Sequence, residues 1–253
     1  MADIKQAVHD QFSKTAANYR TSAVHAAGED LAAIARLVAQ DNAPVVLDAG
    51  CGAGHTAVNV APHSAQVIAF DLSAQMLGQV ERLAHERGLS NVQTRQGDVE
   101  NLPFEDATFD IVTSRYSAHH WPNPGVALGE FARVLKPGGR FILRDIVAAE
   151  EPTYDTFLQA LELLRDPSHV RDHSISQWRA LYEAAGFQVD VVLTWMLPLN
   201  FDDWVRRMAT PELNVAVLRQ LYVNASEDVR RAFAIQPDYT FSIPGALFQG
   251  HLK

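Results

Sequence analysis

The sequence predicts an α/β fold, a mostly parallel sheet with helices on both faces, and three observations lead there. Between Val45 and about Val147, short β-branched or aromatic-rich runs alternate with helical stretches. The first run, Val45-Val46-Leu47-Asp48-Ala49, is apolar enough for a strand buried on both faces, and it feeds a turn with glycine at 50, 52 and 54. At 253 residues and 47% hydrophobic, the chain is long enough for one α/β domain with a full core and insertions that cover a site.

Taken in order, residues 9–40 read as two helices. The second carries Leu31, Ile34, Ala35, Leu37 and Val38 at helical spacing, which suits packing on a sheet as well as covering a site. Strands follow at Val45–Ala49, Gln66–Phe70, Val92–Gln96, Phe109–Ser114 and Arg140–Ile146. From Ser73 to Glu86, Met76, Leu77, Val80, Leu83 and Ala84 share one helical face, with Ser73 as N-cap and Gly88 as the stop. Tyr154–Leu164 and Ser176–Ala185 read as helices, Phe187–Thr194 as a sixth strand, Phe201–Phe233 as helical, and Ala246–Leu252 as a last strand. Alternation of this kind predicts right-handed crossovers and a ligand at the carboxyl ends of the strands. There is no internal repeat, low-complexity tract or linker.

Composition excludes several function classes. A formal charge of -9 and a pI near 5.5 repel a phosphate backbone, so nucleic acid is not an expected partner. The single cysteine, Cys51, forms no intramolecular disulfide, and the first residues lack the apolar core of a signal peptide, so a cytoplasmic setting is expected. No window approaches the roughly 20 apolar residues of a membrane span.

The glycine turn by itself fits nicotinamide, flavin and adenosyl ligands. A dinucleotide fingerprint G-x-G-x-x-G begun at Gly50 needs glycine at 55, where His55 stands. The carboxylate of Asp48 would repel a pyrophosphate and favours a ligand with an ammonium or sulfonium end. Asp71 ends the second strand, where an acidic residue accepts hydrogen bonds from both ribose hydroxyls; it is also placed to cap the next helix, although Ser73 already offers a cap. Gly97-Asp98-Val99 ends the third strand, where a carboxylate accepts an exocyclic amine and a backbone N–H donates to the ring of an adenine. Leu72 and Met76 are placed either to pack on that base or to fill the core. His169 and His173 have the i, i+4 spacing of metal ligands, but Pro167 and the lack of carboxylates in a binding pattern make the segment a loop, and no metal is expected.

These residues, with Leu102-Pro103-Phe104, Phe109-Asp110-Ile111-Val112, His119-His120-Trp121, Glu130, Arg133-Val134-Leu135 and Lys136-Pro137-Gly138-Gly139, resemble class I S-adenosylmethionine-dependent methyltransferases, in the branch of the ubiquinone and menaquinone C-methyltransferases. The resemblance covers roughly residues 10–195. It implies a Rossmann-like seven-stranded sheet, an N-terminal helical lid and a helical insertion before the last strand. The single domain then comprises a lid (1–40), a cofactor-binding core (41–147) and a substrate-side half (148–253) with its insertion at about 200–236.

The resemblance also implies roles. Asp48, Gly50, Cys51 and Gly52 would hold the methionine end of S-adenosylmethionine, Asp71 the ribose, and Gly97, Asp98 and Val99 the adenine, with Leu72 and Met76 against the base. Ser114 and Arg115 would flank the methyl group. Phe12, Tyr19, Arg20 and His25 would belong to the lid, with Arg20 meeting the cofactor carboxylate. His119 and His120 stand where a general base would take a proton from the acceptor, or where two rings merely fill the fold. The products would be S-adenosylhomocysteine and a small molecule methylated at carbon, oxygen or nitrogen. Phe12, Tyr19, Tyr154, Phe157, Trp178, Trp195, Trp204, Met208 and Tyr222 would suit an aromatic or apolar acceptor, or seat the cap on the core. A monomer or homodimer is expected. Nucleic-acid methylation is opposed by the charge and by Ser114-Arg115-Tyr116-Ser117 in place of Asn/Asp-Pro-Pro-Tyr/Phe. A nicotinamide-dependent oxidoreductase and a non-catalytic S-adenosylmethionine-binding protein are the alternatives.

Overall fold

The structure is a computed structural model that describes residues 4–20 and 28–253, apart from the side chains of residues 14–20. Seven strands form one sheet in the order β3-β2-β1-β4-β5-β7-β6, where β1 is Val45–Ala49, β2 Gln66–Asp71, β3 Val92–Gln96, β4 Phe109–Arg115, β5 Leu135–Ile146, β6 Phe187–Leu199 and β7 Phe241–Leu252. Strands β1 to β5 run parallel to one another, and β7 runs antiparallel to both β5 and β6. The order reverses direction at β1, with β2 on one side and β4 on the other, which opens a crevice at the carboxyl ends of those two strands.

The helices are α1 (Ile4–Arg20), α2 (Glu29–Val38), α3 (His55–Val60), α4 (Ala74–Glu86), α5 (Pro124–Val134), α6 (Pro152–Arg165), α7 (Ile175–Ala184), α8 (Phe201–Arg207), α9 (Glu212–Asn224) and α10 (Glu227–Ala232). On one side of the sheet, Ala33, Ile34 and Val38 of α2 pack with Ala57 and Val60 of α3 and Val80 of α4 over Val46, Val67 and Ile111. On the other, Phe131 of α5 and Trp178 and Tyr182 of α7 pack over Leu47, Val112, Phe141 and Phe248. A third cluster, with Leu158, Leu161, Phe201, Trp204, Leu218, Tyr222 and Phe241, joins α6 to the insertion α8–α10.

Of the two roles open to the second helix, α2 takes the sheet packing, where its apolar stripe finds β1 and β4. It is α1 that lies over the strand ends. Gln11 Nε2 donates to Met208 O at 2.9 Å, Ser13 and Ser73 meet hydroxyl to hydroxyl at 3.1 Å, and Phe12 sets its ring edge-on to His120 with centroids 4.8 Å apart. No helix among the described residues is long and apolar enough to cross a membrane.

Candidate active site at the carboxyl ends of the strands

The glycine turn that follows β1 is shaped by three positive φ angles, +68° at Gly50, +52° at Gly52 and +88° at Gly54. A Cβ at Gly50 would overlap the Ser117 hydroxyl, and one at Gly54 would stand 2.9 Å from Val80. At Gly52, by contrast, a Cβ would meet nothing within 4 Å, so the backbone there borders open space. That space is an open cavity, about 990 Å³ with the adjoining solvent included, between the ends of β1, β2, β3 and β4 and the underside of α1.

Asp71 forms the rim between β1 and β2. One carboxylate oxygen accepts the Gly52 N–H at 2.9 Å and the other the Ser73 N–H at 2.9 Å, which ties the turn after β1 to the start of α4. Ser73 itself caps α4, its hydroxyl accepting from Met76 N at 3.3 Å, so the cap and the rim carboxylate are separate devices. Burial pushes the Asp71 carboxyl up from the usual carboxylate range, against the two N–H groups that favour its charge. Gly50, Cys51, Gly52, Leu72, Met76, Gly97, Asp98, Val99 and Arg115 line the same cavity.

Two expected residues do not reach it. Asp48 lies beneath the turn, 1% exposed, with one oxygen accepting from Thr113 Oγ1 at 3.0 Å; burial pushes its carboxyl up to about 7. Ser114 is fully buried, its hydroxyl below Gly50, because alternation along β4 turns it into the sheet packing. Ser117 and Tyr116 take that part of the wall instead. The side chains of Tyr19 and Arg20, and the whole of His25, lie outside the described residues.

Three features escape the motif pattern. Lys5 of α1 reaches across the cavity mouth to Asp98 at 2.6 Å and Glu100 at 2.7 Å. Arg115 is held by Asp30 of α2 at 2.8 Å, and the same carboxylate meets Arg144 at 2.9 Å. Tyr116 adopts φ of +56°, rare for an aromatic residue, with the Arg144 guanidinium 3.4 Å from its ring centroid. Charge-bearing residues just beyond the ends of β3 and β4 were the readable signal for the first two.

A second chamber opens behind the first. Tyr116, His119, His120, Glu162, Arg165, Asp166, Asp172 and Arg207 supply its polar lining, and Phe12, Ile146, Leu197, Leu199, Trp204 and Ile243 its apolar lining. Phe12, Tyr116 and His120 line both spaces. Of the aromatic residues expected to face an acceptor, Phe12 and Trp204 line this second chamber. Tyr154, Phe157 and Tyr222 pack into the cluster under the insertion, and Trp178 lies in the sheet packing.

The two histidines differ in kind. Burial opposes charge on His119, but the Asp145 carboxylate at 2.7 Å from its Nδ1 prevails and pushes it up to about 9. His120 is pushed down to about 4 by burial and by the charge of His119 beside it. Its Nδ1 lies 3.0 Å from the Ser168 carbonyl, which only accepts, so Nδ1 carries the proton and Nε2 keeps its lone pair. His169 Nε2 stands 3.0 Å from Gln159 Oε1, and His169 and His173 occupy a loop; among the described residues no group of three or more His, Cys, Asp or Glu is set to hold a metal ion.

Residues 47–143 match the family model described as a methyltransferase domain. The Bacillus subtilis methyltransferase YcgJ is 40% identical over 245 residues, 94% of this chain and 96% of that one, and its crystal structure superposes with a TM-score of 0.85 over 89% of this chain and 98% of YcgJ. The chain belongs to the S-adenosylmethionine-dependent methyltransferase family. The Escherichia coli K12 protein YafE is 45% identical to this methyltransferase over 202 residues, 80% of this chain and 98% of its own. S-adenosylmethionine is the cofactor of this methyltransferase. The open space at Gly52 and the rim carboxylate of Asp71 fit a nucleoside with a charged tail.

Proposed function

We propose that the methyltransferase methylates a small molecule seated in the second chamber, with S-adenosylmethionine in the first cavity. The observation that carries this reading is the junction of the two spaces at Phe12, Tyr116 and His120. Bound S-adenosylmethionine supplies a methyl group on a sulfonium sulfur, which departs as the neutral sulfur of S-adenosylhomocysteine.

The protein's own residues bind, align and exclude water. Asp71 has lone pairs left after its two backbone bonds and takes the ribose hydroxyls. The backbone from Gly50 to Gly52 receives the methionine end, and Asp98 with Val99 the adenine edge. Leu72 and Met76 form the apolar face against the base. Asp48 acts from beneath the turn, as a buried carboxylate near the cationic end rather than as a contact. Arg115, anchored by Asp30, forms part of the wall of the first cavity.

At the junction, Nε2 of His120 is free of its own proton and receives one from an acceptor that arrives protonated. His119 is charged at neutral pH and supports the site by position, not as a base. Apolar walls from Leu197, Leu199 and Ile243 suit an acceptor with an apolar or aromatic body. A cytoplasmic setting belongs to the same proposal.

Calorimetric titration tests it, with S-adenosylmethionine, S-adenosylhomocysteine and NAD on the wild type and Asp71→Ala. Micromolar binding of the two sulfur ligands is expected, weakened at least about 100-fold in the variant, since two hydrogen bonds to a charged acceptor are worth about 1.5 to 3 kcal/mol each. Binding of NAD with none of the sulfur ligands would overturn the reading.

A further inference from the structure

We infer that the acceptor presents an N–H or O–H donor to Asp172, which thereby selects the substrate; this rests on the second chamber being the acceptor site. Asp172 lines that chamber, is 1% exposed, and has no hydrogen-bond partner on either carboxylate oxygen. Leaving one buried polar atom unmet is costly, and here both oxygens of one group are unmet.

Arg165, His119 and Asp166, which line the same chamber, already have partners. Arg165 meets Glu162 at 3.2 Å and donates to the Trp204 carbonyl at 3.2 Å. His119 is held by Asp145. Asp166 accepts from Ser168 N at 2.9 Å and from Ser168 Oγ at 2.6 Å. Burial pushes the Asp172 carboxyl well above the usual carboxylate range, and its two unmet oxygens call for an N–H or O–H partner.

The fold also takes trouble to hold Asp172 in place. Gln159 of α6 clamps its backbone from both sides, accepting the Asp172 N–H at 3.1 Å and donating to the Asp172 carbonyl at 2.8 Å. The preceding turn is tied to the junction, because Val170 N and Arg171 N both donate to the His119 carbonyl, at 2.9 and 3.1 Å. The carboxyl, with His169 Nε2 3.9 Å from one of its oxygens, is thus fixed in a chamber that Leu197, Leu199 and Ile243 also line. An acceptor of matching chemistry has an apolar body and one hydroxyl or amine at its end.

Two measurements test this. On the protein without ligand, Asp172→Leu removes an unmet polar group and is expected to raise Tm by about 3 °C or more, the behaviour of a site residue that is not structural; a lowered Tm, or failure to fold, would show a structural role and overturn the proposal. The second measurement uses protein saturated with S-adenosylhomocysteine and three probes of one size, benzyl alcohol, benzylamine and anisole, followed by ligand-observed NMR. At least one of the two donors is expected to bind fivefold or more tighter than anisole, which lacks a donor. That preference should shrink to within twofold in Asp172→Leu and survive in part in Asp172→Asn. Equal binding of all three to the wild type, or a preference untouched in Asp172→Leu, would overturn the proposal. The ratio of benzylamine to benzyl alcohol tells an amine acceptor from a hydroxyl one. The Tm comparison needs no cofactor, so a protein that failed to bind S-adenosylhomocysteine would refute the methyl-transfer reading and leave the test of Asp172 intact.

Discussion

Lys5, near the start of α1, holds Asp98, just past the end of the third strand, by an ion pair of 2.6 Å across the mouth of the first cavity. The same ammonium reaches Glu100 at 2.7 Å, and the side chains of Lys5 and Asp98 are each 28% exposed. A half-buried pair of this kind sits near the upper end of what surface ion pairs contribute, about 1 kcal/mol. Lys5→Met is therefore expected to let α1 open about five times more often. Chymotryptic cleavage after Phe12, followed without ligand, should speed up by that factor, and the difference should fade in high salt. An unchanged rate would mean that the contacts of Gln11, Phe12 and Ser13 hold α1 in place without Lys5.

Gly50 tests the turn. Its φ of +68° costs an L-residue about 1 to 2 kcal/mol, and an added Cβ would overlap the Ser117 hydroxyl and approach Ser117 Cβ to 2.7 Å. Gly50→Ala should lower stability by about 2 kcal/mol or more in urea unfolding. The double variant Gly50→Ala with Ser117→Gly should recover the steric part and keep the backbone part. No recovery would place the whole cost in the backbone.

His119 supplies a pH signature. Its pKa is raised in the folded state to about 9 from 6.5, so the bond with Asp145 contributes fully below about pH 6.5 and is lost as pH rises through about 9. The stability gap between the wild type and His119→Gln should be largest below pH 6.5 and close toward pH 9. Nitrogen-15 NMR at pH 7 should show His119 doubly protonated and His120 neutral with its proton on Nδ1. A neutral His119 would return both rings to the list of candidate bases.

How much of this was legible in the sequence follows from where each signal comes from. Strand β1 was readable because burial on both faces forces a continuous apolar run, and it begins and ends where the pattern says, as does the largely exposed edge strand β3. Strands β6 and β7 are longer than Phe187–Thr194 and Ala246–Leu252, since Pro198 and Pro244 interrupt the pattern of their outer parts; β6 tolerates Pro198 as an edge strand. The rim residues Asp71 and Asp98 were legible because they stand at strand ends, where the topology puts ligands. Asp48 and Ser114 were misplaced because one residue of register decides between cavity and packing. Lys5, Asp30 and Asp172 carry no motif at all. Their partners are far away in sequence, and only the fold brings them together.

The last test concerns the pair of guanidinium groups behind the junction. Asp30 of α2 contacts Arg115 at 2.8 Å and Arg144 at 2.9 Å, with side chains 3%, 1% and 10% exposed for Arg115, Arg144 and Asp30. Burial pushes the Asp30 carboxyl up, but the two arginines outweigh it and hold it below the usual range. Arg144 lies against the Tyr116 ring and 4.5 Å from that of Trp195, so the cluster also fixes the residue that lines both cavities. Removing one partner of a buried ion pair costs about 3 to 5 kcal/mol, because the remaining charge is stranded. Asp30→Asn is therefore expected to lower urea stability by about 3 kcal/mol. Where the variant still folds, S-adenosylhomocysteine affinity should drop as Arg115 loses its anchor. A cost under about 1 kcal/mol would mean that water already reaches these charges, and that the cavity wall is set by Tyr116 and Ser117 instead.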